Sequence, residues 1–235
     1  MKKKSFADSQ RGELGTRSRL IEAGLDIFGE CGYTAATTRV IAERAGVNLA
    51  AIPYHFGGKE GFYQAVVAHI TATVGARLAP VLEAIAARSA GGLRPTEAAA
   101  LLEELFGGLV EFIVGSGEAP RFSRIILREQ MSPSKAFDTV YEGVMSPLLE
   151  AVAALMAAAT DSGAPDRTVR LRALALLGQI FAFRFGRETA VRALGLSGYS
   201  TEETTEIRSV LLGQLRATLA GLVAEAGREQ QGDRS

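Results

Sequence analysis

The sequence predicts an all-α protein, and three observations carry that expectation. Alanine and leucine dominate a chain of 235 residues that is 47% apolar and contains no tryptophan. Apolar residues recur three and four apart, the period of one helix face, while alternating runs of Val, Ile and Thr are missing. Glycine and proline gather between the periodic stretches, at Gly57-Gly58, in SAGGLRP (89–95) and in DSGAP (161–165), where they punctuate helices.

Residues 1–15 are polar and read as a flexible basic tail; 1–19 carry Lys2, Lys3, Lys4, Arg11, Arg17 and Arg19 against Asp8 and Glu13. The first helix is expected over 16–29, with Leu20, Ile21, Gly24, Leu25, Ile27 and Phe28 on its apolar face and Gly32 ending it. Thr37 or Thr38 can cap the second, where a hydroxyl satisfies an orphaned backbone N–H. Val40, Ile41 and Ala45 give that helix a buried face, and Arg39, Glu43 and Arg44 a wet one. Gly46 suits a sharp turn at positive φ, and Val47 plugs it. Asn48 caps a third helix, held to its neighbour by Ile52 and Phe56. This is the grammar of a helix-turn-helix, whose second helix is shaped for the major groove of DNA.

Lys59 then opens a fourth helix over 59–87, bent or divided at Pro80. After the linker at 89–95, helices are expected over 96–115, 120–131, 135–159 (kinked at Pro147), 166–194 and 200–226. Ser200 and Glu203 have capping-box spacing.

Several functions lack their chemistry here. The formal net charge is zero, so the chain is no polycation, although its basic N-terminal stretch fits site-specific DNA binding. The single cysteine, Cys31, permits no internal disulfide and is expected as a small buried side chain. His55 and His69 with that distant cysteine make no metal site, and His69 reads as a core or interface residue. No paired catalytic carboxylates, nucleophile motif or phosphate-cradling glycine loop is visible, so neither an enzyme nor a cofactor is expected. The start lacks the apolar stretch of a secretory signal, and no uncharged run reaches the roughly 18–20 residues of a bilayer span. A cytoplasmic protein without a membrane partner is the expectation.

The run TTRVIAERAGVNLAAIPYHFGGKEGFY (37–63) resembles the DNA-binding signature of the TetR family of bacterial repressors. The matching residues are Thr38, Arg39, Ile41, Ala42, Ala45, Gly46, Val47, Tyr54, His55, Phe56, Lys59 and Glu60. NLAAIPYHFGGKEGFY is most similar to the CecR-like branch, as are Arg128-Glu129 with Ser132-Pro133-Ser134 and Gly178-Gln179 with Phe183-Arg184-Phe185. The resemblance implies an N-terminal three-helix head on double-stranded operator DNA and a larger C-terminal helical body for ligand binding and dimerisation. Thr38, Arg39, Tyr54, His55 and Lys59 would grip phosphates. Asn48, Leu49, Ala50, Ala51 and Pro53 would face the bases, and Pro53 departs from the family pattern. Phe106, Phe122, Arg128, Tyr141, Gln179 and Phe183 are candidates to line a small-molecule effector pocket. Leu174, Leu177, Phe181 and Phe185, with Val210, Leu211, Gln214, Leu215 and Leu222, are candidates for a homodimer seam.

The corresponding organisation is a tail at 1–15, a DNA-binding domain at 16–62, a connecting helix at 63–88, a ligand-binding and dimerisation domain at 89–228 and a flexible tail at 229–235. The expected function is a ligand-responsive regulator, a repressor that binds a palindromic operator as a dimer. The alternative is a helical small-molecule-binding protein with degenerate DNA recognition.

Overall fold

The computed structural model describes residues 6–117 and 119–232, with side chains for 14–117 and 120–228. Lys2, Lys3 and Lys4 of the expected tail, and the last three residues, lie outside the described residues. Among the described residues every regular element is helical: α1 Phe6–Ala35, α2 Thr38–Ala45, α3 Ala51–Phe56, α4 Lys59–Ser89, α5 Pro95–Val110, α6 Ala119–Met131, α7 Ala136–Val140, α8 Ser146–Ala159, α9 Arg167–Phe185, α10 Arg187–Leu194 and α11 Thr201–Gly232. Wide π-helical turns follow α5 at Glu111–Gly115 and α7 at Tyr141–Met145.

The termini depart from the expected tails. Helix α1 begins at Phe6, and α11 continues to Gly232. Gly32 ends the regular part of α1 as expected, with φ 77° and ψ 175°. Pro80 is carried inside α4. The expected helix at 135–159 is three segments, its π-turn lying just before Pro147. The one at 166–194 breaks at Gly186, and Ser200 and Glu203 close the expected capping box, with Ser200 N–H on Glu203 Oε2 at 2.8 Å and Glu203 N–H on Ser200 Oγ at 3.3 Å.

Two compact units share the chain. The first runs to Gly75 and takes in Arg121–Gly143; the second comprises Ala76–Pro120 and Val144 onwards. Helices α6 and α7 therefore pack with the N-terminal head, whereas the sequence placed them inside the body at 89–228. The first unit centres on Leu20, Phe28, Ile41, Ile52, Phe62 and Ile70, all essentially sealed from water. In the second, α5 packs on α8 and α11, and α8 on α9, around Leu102, Phe106, Val152, Leu155, Ile180 and Leu215.

Three expectations about side chains and one about helix length are corrected. Val40 is 45% exposed, because Ile41 and Ala45 already fill the buried stripe of α2. His69 is no core residue: it is exposed on α4, where Val66, Val67 and Ile70 turn inward. Cys31 is also exposed and donates to the carbonyl of Ile27 at 3.0 Å, in the last turn before the Gly32 kink. Finally, Lys59–Ser89, Ala136–Ala159 and Thr201–Arg228 are long and apolar enough to cross a membrane by length and composition. Counting uncharged runs missed them, because single charges such as Arg77 and Glu150 interrupt each run without making the helix polar.

Candidate nucleic-acid interface

Thr37 caps α2, its hydroxyl accepting from the Val40 N–H at 3.3 Å. The helix ends at Gly46, with φ 63°, where Gly46 N–H reaches the Glu43 carbonyl and Val47 N–H the Ala42 carbonyl. That paired closure needs a left-handed residue, which glycine adopts without a Cβ clash.

The next helix begins with a tight turn. Asn48 Oδ1 accepts from Ala50 N–H at 2.9 Å, and the Asn48 and Leu49 carbonyls accept from Ala51 and Ile52, three residues on. This tightening accommodates Pro53. A proline there cannot donate to the Leu49 carbonyl four residues back, but Ile52 already fills that acceptor. Ile52 is wholly buried and locks α3 onto the head.

On the open side stand Leu49, Ala50, Pro53 and Tyr54, all exposed, with Tyr54 at 74%. Asn48 is exposed as well, and Ala51 is half-buried at the edge. His55 is half-buried, its ring edge-on to Tyr54 at 4.9 Å between centroids. Arg17 stacks over Phe56 at 5.3 Å, supporting the far end of α3.

The cationic candidates stand on the helices before and after α3. Thr38 opens α2, and the exposed Arg39 lies 3.8 Å from Glu43, a surface pair worth about 0–1 kcal/mol that leaves the guanidinium free to turn to another anion. Lys59 opens α4, donates to the Thr34 carbonyl at 3.3 Å and sits 4.6 Å from the Tyr33 ring centre, so its charge is held in place. Sequence reasoning missed Gly61, where a Cβ would collide with the Phe56 carbonyl oxygen and force the α3–α4 corner open. Its signal was present as the third glycine of GGKEG.

The six ligand candidates divide between the units. Phe122, Arg128 and Tyr141 belong to the first, Phe106, Gln179 and Phe183 to the second. Phe122 is buried, Tyr141 is exposed, and Arg128 donates to the Glu30 carbonyl at 3.2 Å while lying against Gly32, so it ties α6 to α1. Phe106 is fully buried core. Phe183 is half-buried and its carbonyl accepts from Tyr199 at 3.1 Å. The side-chain oxygen of Gln179 is buried with no hydrogen bond among the described residues. A surface recess of about 500 Å³ in the second unit is lined by Arg88, Gly92, Leu93, Glu97, Ala100, Leu101 and Glu104, and by none of the six.

A short capped helix, a left-handed glycine turn and a second helix with one sealed and one open face are the parts of a DNA-reading helix-turn-helix. Residues 20–66 match the family of bacterial regulatory proteins, tetR family, and residues 98–222 match the C-terminal domain of the HTH-type transcriptional dual regulator CecR. The protein belongs to the TetR family of transcriptional regulators, in its CecR-like branch.

Among relatives of this TetR-family regulator, the HTH-type transcriptional dual regulator CecR of Shigella flexneri is 36% identical over 88% of this chain and 92% of its own length. The regulator SrpR of Pseudomonas putida is 40% identical over 29% of this chain and 30% of its own length, a head-sized match. In fold, a TetR-like transcriptional regulator from Rhodococcus sp. RHA1 superimposes with a TM-score of 0.59 over 88% of this chain and 96% of its own, at 19% identity.

Proposed function

We propose that this TetR-family regulator acts in the cytoplasm as a homodimeric repressor that binds a palindromic operator and is released by a small, largely apolar molecule. The observation that carries this reading is the open face of α3, with Arg39 on the helix before it and Lys59 at the start of the helix after it, on a head to which the buried Ile52 fixes α3. Thr38, Arg39, Tyr54, His55 and Lys59 take phosphates, and Asn48, Leu49, Ala50, Ala51 and Pro53 meet the bases.

Dimerisation draws support from the second unit. Leu171 and Leu174 of α9, three residues apart, and Val210 of α11 are each at least 50% exposed, apolar side chains that an interface would cover. Only part of the seam read from sequence is available for this: Leu177, Leu211 and Leu215 are core, whereas Leu174, Phe185, Val210 and Gln214 are exposed. Effector binding draws support from the buried, unpaired oxygen of Gln179. The name of the Shigella flexneri relative describes a dual regulator, and that observation favours a second reading in which some targets are activated.

The test pairs sedimentation with enrichment of bound duplexes from a random-sequence library. A dimer at micromolar concentration and an inverted-repeat consensus, its half-sites about one helical turn apart, are expected. A monomer with and without DNA would refute the dimer, and failure to enrich any duplex would leave the small-molecule-binding alternative.

A further inference from the structure

We infer that α3 selects its operator through the C5-methyl groups of thymine rather than through hydrogen bonds to base edges. This rests on the DNA-binding reading of the head and specifies what that head recognises. Leu49 and Ala50 in the turn that opens α3, and Pro53 and Tyr54 on the helix itself, fall at i, i+1, i+4 and i+5 and are all exposed, whereas Ile52 is sealed. Leu49 is 46% exposed, an apolar side chain left open to a ligand. Side chains able to read bases by paired hydrogen bonds are missing from this face: it carries no Arg, Lys, Gln, Glu or Asp. The nearest amide, Asn48, has its oxygen engaged by the Ala50 N–H. A two-bond contact to adenine needs both ends of an amide, so Asn48 would have to share with the base the oxygen that holds the start of α3. Arg39 and Lys59, on the helices before and after α3, fit a polyanion better than an apolar protein partner. In the major groove, thymine alone among the four bases projects a methyl group, and apolar side chains contact it.

The probe is a duplex enriched by the full-length protein, with each thymine replaced in turn by deoxyuridine, which keeps the pairing and removes only the methyl. At one or more positions in each half-site the loss should weaken binding about fourfold, the worth of one buried methylene-sized group. At those positions 5-methylcytosine should bind better than cytosine. Leu49→Ala should abolish the deoxyuridine penalty at one position, with an unchanged melting temperature. Equal affinity, within about twofold, for every deoxyuridine duplex would overturn the inference, as would enriched half-sites without thymine; the twofold limit is about half the expected methyl effect on a logarithmic scale. Failure to enrich any duplex would overturn the DNA-binding reading itself, and this inference with it.

Discussion

Glu129 is only 4% exposed, and three donors hold it: the Tyr63 hydroxyl at 2.6 Å, the Ser134 N–H at 3.0 Å and the Ser134 hydroxyl at 3.0 Å. Ser134 also accepts from Ala136 N–H at 3.1 Å, which starts α7. One carboxylate thus joins α4, the end of α6 and the start of α7 within the first unit. Burial pushes the Tyr63 phenol well above its usual range, and the hydrogen bond and charge of Glu129 push it the same way. The sign of the pH effect follows. A folded-state pKa above the unfolded value gives stability that is complete below about pH 10 and is lost as the pH rises beyond it. Tyr63→Phe should cost about 1–2 kcal/mol at neutral pH, because Glu129 keeps its Ser134 donors but loses one partner. Denaturant unfolding from pH 9 upward should then show a shallower decline for the variant. Parallel declines would assign the alkaline loss to other groups.

At the scale of elements, α6 is fastened to α1 by charge. Arg121 donates to Asp26 at 2.8 Å and to Glu22 at 3.0 Å, and Arg128 reaches the Glu30 carbonyl. Glu22, Asp26 and Glu30 repeat every four residues on α1, and Arg121, Arg124 and Arg128 at three and four on α6, so each set lies on one helix face. That spacing was visible in the sequence, but nothing there said that the two stripes meet across nearly a hundred residues. The pairs are partly exposed, which limits each to about 0–1 kcal/mol. Arg121→Ala should therefore leave the protein folded while amide exchange in α6 quickens and exchange in α9 does not change. Equal protection of α6 in both proteins would show that apolar packing, through Phe122 and Ile125, is sufficient to hold it.

For the whole molecule, the proposed function requires that effector and operator act on each other through a shared equilibrium. A ligand that favours one state shifts DNA affinity by its differential binding to the two states, commonly about 5- to 150-fold. Operator DNA must then weaken ligand binding by the same factor. Titrating a candidate apolar effector with and without the enriched duplex should give two affinities separated by that factor. Equal affinities would exclude the molecule as an inducer, however tightly it bound.

Local chemistry explains how much the sequence determined by itself. The helical class, the turn at Gly46, the kink at Gly32, the cap at Ser200 and the open face of α3 follow from side chains within a few residues of one another. The tightened start of α3 also belongs here, since its hydrogen bonds join residues 48–52 only. Tertiary structure decided what depends on distant partners. It moved α6 and α7 to the head, buried Leu177 and Leu215 while leaving Leu174 and Val210 open, and placed Glu129 against Tyr63. Periodicity defines an apolar face but not its neighbour, because many helices offer an equivalent face and only the packed chain selects which of them meet.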